Sequence, residues 1–220
     1  MGSNRLPGKV LKKVLGKPLL EYQIERLKRI ATKVCLVIAT TTLPQDDPIV
    51  ALCNQLGVAT YRGSEEDVLS RYYEAGCETQ AEIVVRLTAD CPLIDPEIIE
   101  RAISLFLKHP TYCDYLSNCL NRSYPKGMDV EVMRFSTLKD TWKNAKLPEE
   151  REHVTLHIYH HPERYAIANF TCSLGNYAST RLTVDTFEDF VIVSRVIENL
   201  YPKNPRFTLE DILHYLHGDG

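Results

Sequence analysis

Residues 83–108 decide the fold class and read IVVRLTADCPLIDPEIIERAISLFLK. The apolar run from Ile83 to Leu87 predicts a strand, which leads directly into Asp90. Asp95 is a typical helix N-cap, and the pattern after it predicts a helix from Pro96 to Lys108. A strand that leads into a helix is the repeating unit of an α/β protein.

Strands and helices alternate in the same way through the first half of the chain. The predicted elements are helices over 19–30, 47–55 and 67–79 and strands over 34–39 and 58–61. This alternation predicts a three-layer α/β fold with a mostly parallel, doubly wound sheet. In such a sheet the ligand site lies at the carboxyl ends of the strands.

The alternation is looser after residue 114. The predicted elements there are strands over 129–135, 165–171 and 182–184 and helices over 136–145, capped by Ser136, and over 149–161, 188–200 and 209–216. We expect residues 1–220 to form a single domain. The segment 119–178 is predicted to be an insertion on the main sheet.

The composition is that of a globular protein and excludes several other classes. The chain has 220 residues, of which 44% are hydrophobic and 25% charged, with a net charge of −3. This charge argues against a non-specific nucleic-acid binder. No apolar run approaches the roughly 18 residues of a membrane helix, so membrane insertion is not expected. The seven cysteines contain no C-x-x-C pair, which favours reduced thiols and a cytoplasmic location.

Residues 2–9 form a basic, glycine-containing stretch that reads GSNRLPGK. Such a loop offers backbone N–H groups and positive charges to an anionic ligand. It is not a phosphate-binding loop of the Walker A type, because Val10 stands where a Ser or Thr would hold magnesium. A solvated basic tail is the alternative interpretation.

Two short stretches share one order of residue types: Arg86 to Asp90 reads RLTAD, and Arg181 to Asp185 reads RLTVD. A carboxylate at the end of a strand is well placed to hold a hard cation beside a phosphate. Together with the basic loop, Asp90 and Asp185 predict a phosphoryl-transfer site that uses Mg²⁺. In the alternative interpretation, Asp90 caps a turn and Asp185 begins the following helix.

Six motifs occur in an order that resembles the cytidylyltransferase family, and most closely the branch that includes spore-coat polysaccharide biosynthesis protein F. They are RLPGKVL at 5–11, YRGSEEDVLSR at 61–71, the Asp90 motif, GMDVE at 127–131, REHVT at 151–155 and the Asp185 motif. The resemblance extends to about residue 190 and therefore covers nearly the whole chain.

The resemblance implies a fold, a reaction and a set of site residues. The family is similar to CMP-sialic acid and CMP-Kdo synthetases, which have a glycosyltransferase-A-like nucleotidyltransferase fold. These enzymes transfer CMP from CTP to a sugar hydroxyl and release pyrophosphate. For this chain the resemblance implies a Mg²⁺-dependent reaction with a nonulosonate-like or related sugar in surface or spore-coat polysaccharide biosynthesis. It also implies a homodimer with an interface over 149–171.

The implied catalytic residues are Arg5, Lys9, Asp90 and Asp185. Arg5 and Lys9 would hold the triphosphate, and Asp90 and Asp185 would bind Mg²⁺. Gly2 and Ser3 would approach the nucleotide, and Arg86 and Thr88 would line its site. The residues that would face the sugar are Asp129, Glu131 and His153.

Family members usually have a short apolar strand and Gln-Ala-Arg before the Met-Gly-Ser sequence, so we expect the fold of residues 1–220 to lack the usual first strand. Two alternatives stay open. One is a glycosyltransferase that uses a nucleotide sugar, with 129–131 as its metal motif. The other is an inactive nucleotide-binding protein without its first strand.

His153 and His157 are four residues apart on a predicted helix, where a polar helix face is a better interpretation than a zinc site.

Overall fold

Short strands alternate with helices in the computed structural model, which describes residues 5–108 and 113–218. The helices are α1 Leu19–Leu27, α2 Asp47–Gln55, α3 Val68–Glu78, α4 Pro96–Lys108, α5 Phe135–Asn144, α6 Pro148–Glu152, α7 Leu156–His160, α8 Phe187–Leu200 and α9 Leu209–His217, with short 3-10 helices at Lys9–Leu11 and Pro44–Asp46. The strands are β1 Lys13–Val14, β2 Lys17–Pro18, β3 Val37–Thr41, β4 Ala59–Gly63, β5 Ile83–Arg86, β6 Tyr115–Ser117, β7 Glu131–Arg134 and β8 Ile167–Asn169.

The strands form two main sheets and a small hairpin of β1 and β2. β3 and β4 pair in parallel. The other sheet has the order β5-β7-β6-β8, in which β7 runs antiparallel to both of its neighbours while β6 and β8 are parallel. The predicted α/β fold is confirmed, and the β3–β4 sheet is parallel as predicted. The four-stranded sheet is mixed, because β7 lies between β5 and β6 and runs antiparallel to both.

Hydrophobic clusters on both faces of the four-stranded sheet give the fold its layers. Leu116 and Val132 belong to a large cluster with side chains of α1, α4, α8 and α9. Their strand neighbours Tyr115 and Met133 belong to a second cluster with side chains of α3, α5 and α7. Successive residues of a strand point to opposite faces, so this division places helices on both sides of the sheet.

Several predicted boundaries need correction. The helix predicted over 149–161 is two short helices, since Val154 has a φ of +21° and interrupts the hydrogen-bonded turns. Residues 182–184 are not a strand; the adjoining Arg181 forms only an isolated bridge with Lys126. The N-cap of α5 is Arg134 and not Ser136. Among the described residues, no helix has the length and apolar character needed to span a membrane.

The segment around Leu182 packs tightly against a turn at Gly127. Gly127 has a φ of +103°, and a Cβ atom added there would lie 2.5 Å from the carbonyl carbon of Leu182. The Leu182 N–H donates to the carbonyl of Lys126 at 2.7 Å. The Val184 N–H donates to the carbonyl of Asp90 at 2.8 Å, so the backbone itself places Asp185 beside Asp90.

Candidate functional site

Lys9 lies at the start of a 3-10 turn that the preceding loop holds in place. Gly8 has a φ of +66°, in the left-handed region that glycine adopts readily. Leu6 is buried in the large hydrophobic cluster and accepts a hydrogen bond from the Lys9 N–H at 3.2 Å. The loop is therefore attached to the core and is not a solvated basic tail at these positions.

The Lys9 ammonium joins the two predicted strand-end aspartates. Its Nζ atom donates to Asp90 Oδ2 at 3.1 Å and to Asp185 Oδ1 at 2.8 Å. Lys9 is 81 residues from Asp90 and 176 from Asp185 in sequence. The fold thus brings together three residues that the sequence predicted to share one site.

Arginines surround Asp185. Arg181 Nη2 donates to Asp185 Oδ2 at 2.6 Å, and Arg5 Nη2 lies 3.5 Å from Asp185 Oδ1. Arg181 Nε also donates to Asp189 at 2.6 Å. Asp189 forms a capping box with Thr186 at the start of α8, and it accepts the Asp185 N–H at 2.9 Å. This arrangement fixes the backbone of Asp185 as well as its side chain.

The charges of the site stabilise one another. Burial lowers the pKa of Lys9, but Asp90 and Asp185 outweigh it, so the pKa is raised above its usual value. Burial raises the pKa of Asp185, but hydrogen bonds and charge from Lys9 and Arg181 lower it overall. Likewise, hydrogen bonds from Arg181 and two backbone N–H groups overcome burial and lower the pKa of Asp189 to about 2. The shifts of the pKa values of Lys9, Asp185 and Asp189 therefore all favour the charged form of the side chain.

A cavity of about 670 Å³ adjoins this cluster and is large enough for a small-molecule ligand. It lies at the carboxyl ends of β3 and β5, where Thr40, Thr41 and Ala89 line it. Val10, next to Lys9, also lines it. Its position agrees with the predicted ligand site at the carboxyl ends of the strands.

Arg71 is a cationic group of this cavity that the sequence did not predict. It lines the cavity from α3, and its Nε atom is buried without a hydrogen-bond partner among the described residues. Burial lowers the pKa of Arg71 despite nearby carboxylates. An anionic ligand in the cavity would supply the missing partner. Its presence in the YRGSEEDVLSR stretch was the available sequence signal.

Arg86 and Glu131 form a buried pair across β5 and β7. They are register partners, and Arg86 Nη1 contacts Glu131 Oε2. Glu131 is only 6% exposed and also accepts from Tyr115 Oη at 2.5 Å and Thr155 Oγ1 at 2.6 Å. Burial lowers the pKa of Arg86, but the Glu131 charge raises it overall. The sugar-facing position expected for Glu131 does not fit this burial, since both carboxylate oxygens have protein partners.

The other predicted site residues lie in different surroundings. A third of the Asp129 side chain is exposed, and its carboxylate forms a two-point ion pair with Arg122. His153 is exposed at the break between α6 and α7. Thr88 follows β5, and its hydroxyl lies 3.3 Å from Cys91 Sγ. Gly2 and Ser3 lie outside the described residues.

The sequence interpretation missed Arg181 and Arg122 as partners of predicted site residues. Arg181 precedes Asp185 by four residues, which is a visible ion-pair spacing. Arg122 precedes Asp129 by seven residues, and only the intervening turn brings them together.

Asp90 and Asp185 fit a magnesium ion by chemistry, because Mg²⁺ prefers carboxylate oxygens and both side chains already attract the Lys9 cation.

A second group, Glu150, His157 and His161, has possible ligand atoms within 4.8 Å of one another. In this group His157 Nδ1 lies 2.9 Å from Glu150 Oε1. His153 is not part of this group and lies at the end of α6. His157 is buried in α7, so the polar helix face expected for these two histidines is wrong.

Known proteins resemble this chain over most of its length. A family model described as Cytidylyltransferase matches residues 1–210. The chain is 34% identical over 209 residues to spore coat polysaccharide biosynthesis protein SpsF of Bacillus subtilis, which covers 92% of this chain and 83% of that protein. It is 34% identical over 132 residues to 3-deoxy-manno-octulosonate cytidylyltransferase of Chlamydia trachomatis, or 58% of this chain and 50% of that protein. The structure of a cytidylyltransferase from Leptospira borgpetersenii superposes with a TM-score of 0.95 at 32% identity, covering 100% of this chain and 91% of that one.

Proposed function

Since the chain belongs to the cytidylyltransferase family, we propose that it transfers CMP from CTP to the hydroxyl of a sugar and releases pyrophosphate in a Mg²⁺-dependent reaction. The observation that carries this proposal is the contact of Lys9 with Asp90 and Asp185 beside a ligand-sized cavity. Carboxylates that can hold a divalent metal ion, with a lysine beside them for the phosphates, are the groups that nucleotidyl transfer needs.

The nucleotide half of the site combines basic side chains with carboxylates that line the cavity, Asp46, Glu65, Glu66 and Glu152. Lys9 and Arg5 would contact the triphosphate, and Arg71 would offer its unpartnered Nε to a phosphate oxygen or to the base. These groups neutralise charge that develops as pyrophosphate leaves, which accelerates phosphoryl transfer more than a strong base would. Arg181 keeps Asp185 in place through their ion pair.

Asp90 and Asp185 would hold the magnesium ion. When bound, the ion supplies Lewis-acid stabilisation of phosphate oxygens and lowers the pKa of an oxygen that it coordinates. With the two carboxylates engaged in holding the ion, the Lys9 ammonium would be available to the phosphates. The two carboxylates would also orient a ligand within the site. The hydrogen bond from the Val184 N–H to the Asp90 carbonyl supports this role, because it keeps Asp185 beside Asp90.

The acceptor half of the site involves Asp129 and His153. Arg122 holds both Asp129 oxygens in a two-point ion pair, and sugar hydroxyls would donate to the remaining lone pairs on the exposed third of this side chain. The exposed His153 has freedom to approach a sugar. Glu131 acts indirectly, because it holds Arg86 and Thr155 in position. A 3-deoxy-octulosonate or another nonulosonate-like sugar is the proposed acceptor class, supported by the Chlamydia relative.

The relatives also support a place in surface or spore-coat polysaccharide biosynthesis. A cytoplasmic homodimer is part of the same proposal, with the interface over 149–171. Light scattering of the purified protein would test the dimer, and a monomer at micromolar concentration would contradict it.

Pyrophosphate release with each of the four nucleoside triphosphates and a panel of acceptor sugars tests the proposed reaction. We expect release only with CTP, only with an acceptor and only with a divalent cation. Asp90→Asn and Asp185→Asn should each abolish it while the protein still folds. Full activity in both variants would refute the metal assignment.

The glycosyltransferase alternative receives no support from residues 129–131. Glu131 is saturated by protein partners, and Asp129 is paired with Arg122, so these two carboxylates do not form a free metal motif. Consumption of a nucleotide-diphosphate sugar by a Lys9→Ala variant would nevertheless favour that alternative.

A further inference from the structure

A carboxylate and two histidines meet where α6 and α7 adjoin, and the proposed reaction uses none of them. Glu150 lies in α6, His157 lies in α7, and His161 is the C-cap of α7. Each residue offers one possible ligand atom, and these three atoms lie within 4.8 Å of one another. We call these three residues the histidine cluster.

The buried part of the histidine cluster has one hydrogen-bonding position unused. Glu150 and His157 are each only 4% exposed, and His157 Nδ1 lies 2.9 Å from Glu150 Oε1. His157 Nε2 is also buried, and it has no hydrogen-bond partner among the described residues. Buried polar atoms nearly always have a partner, so this imidazole has capacity for a ligand from outside the protein.

The two histidines have a spacing that suits the binding of one ion. They are four residues apart, and residues at this spacing are neighbours on one face of a helical turn. Their ring centroids are 4.3 Å apart. In either neutral tautomer, one ring nitrogen of each histidine keeps a lone pair for a metal ion.

A second carboxylate contacts the outer histidine. Glu163 Oε1 lies 3.2 Å from His161 Nδ1. A carboxylate at one ring nitrogen commonly orients a histidine whose other ring nitrogen binds a metal. Glu163 would therefore hold the His161 ring in position and add a negative charge beside the bound cation.

The ligand atoms of the histidine cluster are close enough to reach one small cation. Because no two of them are more than 4.8 Å apart, some point lies within about 2.8 Å of all three, whereas zinc bonds to nitrogen and oxygen are roughly 2.0–2.2 Å long. Side-chain shifts of less than about 1 Å would bring all three atoms to bonding distance.

The donor set indicates which cation would bind. Two imidazole nitrogens and one carboxylate oxygen suit Zn²⁺, whereas Mg²⁺ and Ca²⁺ prefer oxygen ligands alone. Three protein ligands leave a fourth position of the tetrahedron for water. The His161 side chain is 39% exposed, so an ion can enter from the surface on that side.

We propose that Glu150, His157 and His161 bind one Zn²⁺ ion, which joins α6 to α7. Each of these helices has only five residues, too few to be stable alone, and the backbone between them turns sharply at Val154. The ion would link the helices across that break. Binding of the ion does not depend on the proposed reaction.

The ion would also stabilise one wall of the ligand-sized cavity. Pro148 and Glu152 of α6 line this cavity. Glu150 lies between them in sequence and is buried, so its attachment to α7 limits the movement of the whole short helix.

Calorimetric titration of chelator-treated protein with Zn²⁺ tests the proposal. Excess Mg²⁺ in the buffer competes for sites that consist of oxygen ligands. The variants are His161→Ala and Glu150→Gln, with His160→Ala as the matched control, because His160 is an exposed neighbour outside the histidine cluster. Asp90→Asn serves as a control for the candidate catalytic site. Circular dichroism shows whether each variant is folded.

We expect one equivalent of Zn²⁺ to bind with a Kd on the order of 1 μM or lower. His161→Ala and Glu150→Gln should each weaken binding at least about tenfold, whereas His160→Ala and Asp90→Asn should leave it unchanged. Zinc at about 100 times its Kd should raise Tm by about 5 °C in the wild type and in both controls.

His161→Ala decides the outcome if Glu150→Gln does not fold, because His161 is partly exposed and its replacement disturbs the core less. Unchanged binding in folded His161→Ala would assign the ion to thiols or carboxylates elsewhere and overturn the proposal. Absence of binding to the wild type, or an equal loss in His160→Ala, would overturn it as well.

Discussion

Replacing Lys9 with methionine removes the ammonium while keeping much of the side-chain length. In the structure this group contacts Asp90 at 3.1 Å and Asp185 at 2.8 Å, and its side chain is 16% exposed. If Lys9 neutralises a phosphate during transfer, its loss should lower kcat by about 100- to 1000-fold, the usual effect of removing one charge-stabilising donor.

The effect on folding should be much smaller. Asp185 keeps its ion pair with Arg181, and both carboxylates remain partly exposed to water. We expect Lys9→Met to lower stability by about 1 kcal/mol, which for a domain of this size lowers Tm by about 2–4 °C. The large loss of kcat would therefore not be explained by unfolding.

Pyrophosphate release under saturating CTP measures kcat, and circular dichroism measures Tm. Lys13→Met is a matched control, because Lys13 is an exposed lysine of the same segment with no role in the site. Lys13→Met should leave kcat unchanged. The reasoning fails if Lys9→Met keeps kcat within about threefold of the wild type, or if its Tm falls so far that the protein is unfolded at the assay temperature.

Three further predictions concern stability. Gly127→Ala should lower the free energy of unfolding by about 3 kcal/mol or more, because a Cβ atom there would meet backbone at 2.5 Å. Gly57→Ala is the control: Gly57 has a φ of +63° with nothing within 4 Å, so the loss should be about 1 kcal/mol. Equal urea midpoints for the two variants would contradict this. Glu131→Gln removes the charge that pairs with the buried Arg86 and should lower the free energy of unfolding by about 3–5 kcal/mol. Asp129→Asn, in a more exposed pair, should lower it by about 1 kcal/mol or less. The reverse order in chemical denaturation would be contrary evidence. Burial raises the pKa of Asp67, but its arginine partner and hydrogen bonds lower it overall, so its contribution to stability is present above about pH 4 and is lost as the pH falls through the lowered value. Asp67→Asn should accordingly lose about 1 kcal/mol at pH 7 and much less near pH 2; a pH-independent difference in urea unfolding would rule this out.

Elements with a strong local pattern were predicted well from the sequence. The helices 47–55 and 96–108 have the predicted bounds, and the apolar run before Asp90 is a strand. These elements carry their own signals: N-terminal caps or prolines and a clear hydrophobic period. Asp90 and Asp185 were also found by pattern, and the structure brings both to Lys9.

Features that depend on long-range contacts were not predictable in the same way. Nothing in the local sequence of β7 says that it enters between β5 and β6, or that its Glu131 pairs with Arg86. Residues 182–184 look like a strand because they are apolar. Their backbone is satisfied instead by Lys126 and Asp90, partners far away in sequence.

Lys9, Asp90 and Asp185 are proposed to form a site that transfers CMP to a sugar. Phosphorus NMR of the protein with CTP, Mg²⁺ and a 3-deoxy-octulosonate acceptor tests it most directly, because the technique distinguishes the new phosphodiester from its possible by-products. We expect equal amounts of a CMP–sugar and pyrophosphate, and neither product in Asp185→Asn. Formation of CDP and phosphate without a CMP–sugar would contradict it.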